Sequence, residues 1–419
     1  MRFGTYIVLI LVAVAGWLAV RKPVPHERGP LRQEAYVWQR AWTPAVTDAI
    51  RERAGDFAAL PVLAAEVKWE EGRPLLTRVP IDFALLKSIA GLAYPVIRVG
   101  AYSGSFDPNA PAARYLAALC RSILDEWSAK EIVPAELQWD FDCPESKLSG
   151  YRTWIQMLRR ETTPVRFTIT ALPAWLGNPQ FKSLAAASGG FVLQVHSFRP
   201  PKVSSEPYVL CDPVKASKFI EIAAGMGVPF RVALPTYGYR LIFDETGKLQ
   251  GLAAEGSAKD WPEGRLAREV RANPNELAGL VQQLMNGRPG ALKGIIWYRL
   301  PNRADDLNWP WATLQSVMAG KVPDARLAIT STTSSHGLTE LTMANAGSAM
   351  VMPPPTIRLS WLRARLIAGD GLAGYELVDA GDDGAVLKRS AATRSLDPGA
   401  HASAGWLRLS EPTEVQIDF

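Results

Sequence analysis

Residues 138–145 read Gln-Trp-Asp-Phe-Asp-Cys-Pro-Glu. In an extended segment Gln138, Asp140 and Asp142 fall on one face, with Trp139 and Phe141 on the other. Two carboxylates stacked at one strand end repel each other. One of them should therefore keep its proton to higher pH, as a general acid near neutrality requires. A salt-bridged structural pair is the competing reading. Further polar residues close otherwise apolar runs: Glu66, Arg98, His196, Tyr237, and Tyr298 with Arg299. Burying such groups alone is costly, so each is expected to be paired or functional. Glu66 and Arg98 could pair with each other across neighbouring strands.

These residues need a scaffold, and the sequence supplies an alternating one. Eight β-rich apolar runs occur at residues 35–39, 59–67, 95–100, 136–142, 165–171, 191–197, 230–235 and 294–300. The intervals leave room for a helix between successive runs, as parallel strands require. Residues 107–130 carry apolar positions at helical spacing, including Leu116, Leu119, Ile123 and Trp127. Asn273 before Pro274, and Asp212 before Pro213, read as N-caps followed by a proline in the first turn. The pattern predicts an α/β fold, a (β/α)₈ TIM barrel, with its chemistry at the C-terminal strand ends. An open doubly wound sheet is disfavoured, because no Gly-rich turn follows the first strand. Between the last two runs, residues 240–243 and 248–252 around Asp244-Glu245-Thr246-Gly247 predict a β-hairpin beside the barrel mouth.

Beyond Gly320 the composition shifts to short alternating stretches separated by turn signals. About seven strands of this kind predict an immunoglobulin-like β-sandwich, with Trp361 and Trp406 in its core or facing a carbohydrate. The expected organisation is 1–30 signal or membrane anchor and linker, 31–321 barrel, and 322–419 sandwich. Arg2 and the apolar residues 6–20, closed by Arg21-Lys22, read as a secretion signal or uncleaved anchor. Either places the rest of the protein in the periplasm or outside the cell, touching the membrane only through that segment. A net charge of +5 spread over 419 residues, with no basic run, speaks against nucleic-acid binding. Three scattered cysteines and four scattered histidines offer no metal spacing, so neither metal nor cofactor is expected.

Four strands carry a resemblance. Residues 138–142 resemble the fourth-strand D-x-D-x-E segment of family-18 glycoside hydrolases, the chitinases and endo-N-acetylglucosaminidases. Residues 191–196 (FVLQVH) are similar to that family's sixth strand, with His196 where a Tyr is usual. Leu234-Pro235-Thr236-Tyr237-Gly238 resembles its seventh strand, and Gly294-Ile295-Ile296-Trp297 its eighth. The likeness spans roughly residues 35 to 320, and the chain is similar to a bacterial family of such barrels, domain of unknown function 3142. One register sets Gln138 and Asp140 on the family's two Asp positions and Asp142 on its catalytic Glu. The other sets Pro144 on the Glu, with Glu145 one residue late. The first keeps one side-chain face and is preferred.

By that resemblance Asp142 is the general acid, Asp140 its partner, and Tyr237 an assisting hydroxyl for a substrate acetamide nucleophile. Gln138, Gln194, His196, Arg98 and Glu66 are the expected substrate contacts, with Trp297 as the floor under a sugar. The implied ligand is an envelope or extracellular glycan. The missing Glu leaves a second reading open, a non-catalytic barrel that binds polysaccharide or a partner protein.

Overall fold

A computed structural model describes residues 25–419 except 90, 197–199, 254–265, 379 and 391–394. The apolar segment 6–20 therefore lies outside the described residues. Among the described residues no helix is long and apolar enough to cross a membrane.

The first unit is mixed α/β. Eight parallel strands run β1 Arg32–Ala35, β2 Leu60–Glu70, β3 Ala93–Val99, β4 Glu136–Phe141, β5 Arg166–Ala171, β6 Phe191–Gln194, β7 Phe230–Pro235 and β8 Leu292–Tyr298. Each pairs with its sequence neighbour from β2 to β8, and β8 then pairs with β1. The sheet curls until its ends meet: Glu34 bridges Ala59 and Val37 bridges Val62, both parallel. Only the lower half of β2 meets β1. Its upper half, Ala65 to Glu70, pairs instead with an antiparallel strand Arg73–Arg78 that lies outside the eight expected runs. The first strand also starts three residues earlier than expected.

Among the described residues eight α-helices follow the strands: α1 Pro44–Arg53, α2 Phe83–Ser88, α3 Pro111–Ala129, α4 Leu148–Glu161, α5 Pro179–Ala187, α6 Pro213–Ala224, α7 Pro274–Asn286 and α8 Trp311–Met318. Several begin as the sequence dictates. The Asp212 carboxylate accepts from the Val214 and Lys215 amides at 3.0 and 3.1 Å, and Asn273 from the Asn275 amide at 3.1 Å. These side chains satisfy donors that a first helical turn leaves without partners. The expected hairpin is present as Gly238–Phe243 with Leu249–Ala253, and Leu266–Arg271 flanks it as a third strand.

Side-chain parity along the strands separates two environments. On β3, β4, β5 and β8 odd-numbered residues such as Ile97, Trp139, Ile169, Ile295 and Trp297 pack outward into one core with the helices, whereas on β7 odd-numbered Arg231 and Ala233 face inward. Even-numbered Tyr36, Val96, Val192 and Ile296 pack inside the curl. Its base is charged: Arg231 pairs with Glu34 at 2.7 Å and with Glu136, and Tyr94 donates to Glu34 at 2.8 Å.

After the linker, residues 327–418 form two four-stranded antiparallel sheets. Ile329, Leu341 and Leu407 of one share a core with Ile357, Leu359 and Leu387 of the other. Trp361 lies in that core, 3% exposed, its indole donating to the Asp382 carbonyl at 2.9 Å. It is therefore not available as a carbohydrate platform. The two units touch where the Thr313 hydroxyl donates to the Ser348 carbonyl at 2.6 Å.

Candidate functional site

Strand register alone aligns three charges at the C-terminal mouth of the curl. Glu66 on β2 stands opposite Arg98 on β3, which stands opposite Asp140 on β4. Arg98 reaches Glu66 at 3.8 Å, Asp140 at 4.0 Å and Asp142 at 3.4 Å. Arg40, just past β1, grips Glu66 by donating from its Nε and from one terminal nitrogen. Burial would push Glu66 up, but the bonds and charge of Arg40, with Arg98 behind, hold its carboxyl below the usual range.

Beside this row a cavity of about 190 Å³ opens. Arg98, Asp140, Asp142, Gln194, His196 and Tyr237 all line it. The two aspartates differ in setting. Asp140 is largely enclosed, with 18% of its side chain exposed, whereas Asp142 stands 52% exposed at the rim. Burial raises Asp140 to about 6. Arg98 pulls it back and the negative charge of Asp142 adds to the rise. Asp140 is thus a carboxyl that holds its proton to higher pH than a solvated aspartate does, whereas the sequence reading put the general acid on Asp142 at the rim.

Aromatic rings close the other side. The His196 ring is 3% exposed, and burial lowers it to about 3, so it is neutral throughout the physiological range. Its Nδ1 lies 3.3 Å from the Tyr237 hydroxyl, which donates to Tyr239 at 3.2 Å. Its Nε2 is buried and has no hydrogen-bond partner among the described residues. Tyr298 packs against His196 and Tyr237 at ring separations of 5.4 and 5.3 Å.

Three expected contacts sit elsewhere. Trp297 is fully buried outside the curl, packed near Trp309 with its indole donating to Gln33 at 2.7 Å, because parity on β8 turns residues 296 and 298 inward. The inward aromatic is Tyr298. Gln138 is buried one layer below, its amide donating to Tyr36 at 2.5 Å and Thr170 at 3.1 Å, so it supports two residues that line the cavity. Glu66 lies behind Arg98 rather than on the cavity wall. Tyr36, Trp38 and Tyr239 line the cavity as well, outside the set expected from the sequence. Period-two spacing of Tyr36 and Trp38 on the first strand was a usable signal. The thiols of Cys120, Cys143 and Cys211 are buried and unbridged.

The fold defines a class, a mixed α/β protein with a curled sheet of parallel strands. More narrowly, residues 95–303 match the family described as Domain of unknown function (DUF3142), and residues 328–410 match Domain of unknown function (DUF8456). No curated protein sequence matches the chain. Similar solved structures include the Bacillus cereus spore cortex-lytic enzyme SleL, at 12% identity over 71% of this chain and 75% of that one, TM-score 0.48. The GH18 chitinase ChiB from the chitin utilization locus of Flavobacterium johnsoniae aligns at 14% identity over 70% and 94%, TM-score 0.45. A chitinase of Chromobacterium violaceum aligns at 16% over 69% and 99%, TM-score 0.42.

Proposed function

We propose that the first unit is a (β/α)₈ barrel that acts on a glycan at its C-terminal mouth, with Asp140 as the proton-carrying carboxyl. The observation that carries this reading is the raised Asp140, at about 6, on the wall of an aromatic-lined cavity. A carboxyl of that kind can protonate a glycosidic oxygen and take the proton back. Asp142, half exposed and 3.4 Å from Arg98, stands at the rim beside the reacting centre. Tyr298 and His196 supply an apolar face and a ring nitrogen for a sugar.

The same proposal gives the C-terminal sheets an immunoglobulin-like sandwich arrangement, with the units dividing near residue 321. It places the protein in the periplasm or outside the cell, tethered or delivered by residues 1–30. The test is a screen of the fragment from residue 31 against chito-oligosaccharides and other α- and β-linked glycans. Asp140→Asn is expected to lower the turnover of any substrate found by roughly 10²–10⁴-fold, the usual range for losing acid–base help. Asp142→Asn should cost less. Equal rates for wild type and Asp140→Asn would remove Asp140 from the chemistry.

One observation favours a second reading. Arg98 lies within 4.0 Å of Glu66, Asp140 and Asp142, so the carboxylates already have a cationic partner, as in a barrel that binds without cleaving. Binding with no turnover of any glycan would select it.

A further inference from the structure

The mouth cavity, at about 190 Å³, is smaller than the roughly 300–1,000 Å³ of ordinary ligand pockets, and seats a sugar unit rather than a chain. Two further cavities lie beyond the same strand ends. The first, about 310 Å³, is lined by Gln39 and Arg40, which directly follow Trp38 of the mouth, and by Arg299, which directly follows Tyr298. The second, about 800 Å³, shares Asn302, Asp305 and Asp306 with the first. It runs between the barrel unit and the C-terminal sheets, whose Met350, Met352 and Pro398 form its far wall.

The chemistry of this large cleft narrows what it can hold. Arg240 and Arg271 share Glu269 at 2.5 and 3.3 Å. On another wall Arg303 and Arg53 share Glu52 at 2.6 and 3.9 Å. Each group carries one surplus positive charge, and the carboxylates of Asp306 and Asp397 lining the same cleft offset the two. Asp305 is taken by Arg299. A cleft so balanced attracts neither a polyanion nor a polycation. It does offer fixed donors and acceptors beside apolar surface: Trp311, with Arg53 4.6 Å from its ring, and the exposed thioether of Met352. Donors and acceptors around an apolar platform suit an uncharged polyhydroxylated chain.

We infer that the cleft between the two units is a second glycan-binding segment beside the mouth, so that one neutral polysaccharide reaches both. This rests on the glycan reading of the mouth and adds a site to it. A ligand spanning both segments gains affinity through effective concentration, without new contacts at the mouth.

The test measures binding of short and long members of several neutral oligosaccharide series to the fragment from residue 31. Met352→Asp and Arg303→Ser alter the cleft at positions 55% and 76% exposed, where folding tolerates change. Tyr298→Ala, with Tyr298→Leu as the milder form, alters the mouth, and melting curves verify each variant. The expected result is that long chains bind at least about tenfold tighter than short ones. Met352→Asp and Arg303→Ser should erase that gain and leave short-chain affinity unchanged. If long and short chains bind alike and both depend on Tyr298, the cleft is overturned and the mouth stands. If long chains depend on the cleft but not on Tyr298, the cleft is supported and the mouth reading falls. Absence of binding by every series overturns both.

Discussion

Asp140 and His196 face the same cavity, and burial moves both toward neutrality from opposite directions. A carboxyl raised from 3.8 to about 6 binds its proton more tightly folded than unfolded. Its contribution is therefore complete below pH 4 and is lost as pH rises through 6, on the order of 3 kcal/mol. An imidazole lowered from 6.5 to about 3 behaves in the reverse sense. Its neutral folded form costs nothing above pH 6.5, and stability falls as pH drops toward 3, on the order of 5 kcal/mol. Between pH 4 and 6 the two slopes oppose each other and largely offset. Asp140→Asn should therefore steepen acid destabilisation over that window, and His196→Phe should leave a protein that loses stability as pH rises from 4 to 6. Denaturant titrations at half-unit pH intervals check both. Parallel pH profiles for wild type and both variants would show that these groups are not buried as described.

On β8 a single step in parity separates a core tryptophan from a cavity tyrosine. Trp297→Ala is expected to destabilise by about 3–5 kcal/mol, the cost of emptying a large core site, while the folded fraction binds ligand as before. Tyr298→Ala should do the opposite, with a modest change in melting and a loss of glycan binding. A Trp297→Phe variant with wild-type stability and no binding would reverse the assignment. This element also shows where the sequence could be read and where it could not. The eight strands and the capped helices were legible because apolar runs and Asn-Pro or Asp-Pro pairs are local signals. Parity on β8 was not, since Gly-Ile-Ile-Trp-Tyr is apolar on both faces, as in any strand covered on both sides. The acid row was legible at Asp140 and Asp142, whose apolar neighbours alternate with them. Which of the two keeps the proton depends on how far each sits from solvent, and no local pattern encodes that. The antiparallel strand Arg73–Arg78 was missed because its exposed Leu75 and Leu76 break the two-residue period.

At the scale of the molecule, the charged base holds the curl together and makes two expectations. Arg231→Met takes the buried cation from Glu34 and Glu136 and leaves them only the half-exposed Arg32 and Arg166, so a loss of about 3–5 kcal/mol is expected by denaturant unfolding. Replacing Arg231, Glu34 and Glu136 together with apolar residues of matching volume should instead be neutral or stabilising. If Arg231→Met is silent, the network is not holding the base. Removing residues 1–25 should leave a soluble protein with unchanged melting, and loss of the folded state would place that segment in the core. The base also governs traffic. Glu34, Arg231 and Glu136 block the lower end with paired charges, and the layer of Tyr36, Val96, Val192 and Ile296 lies above them. What enters the mouth must turn back and leave by the way it came. The protein is a blind well, which a long polymer can use only by dipping one end, or one bent unit, over the lip.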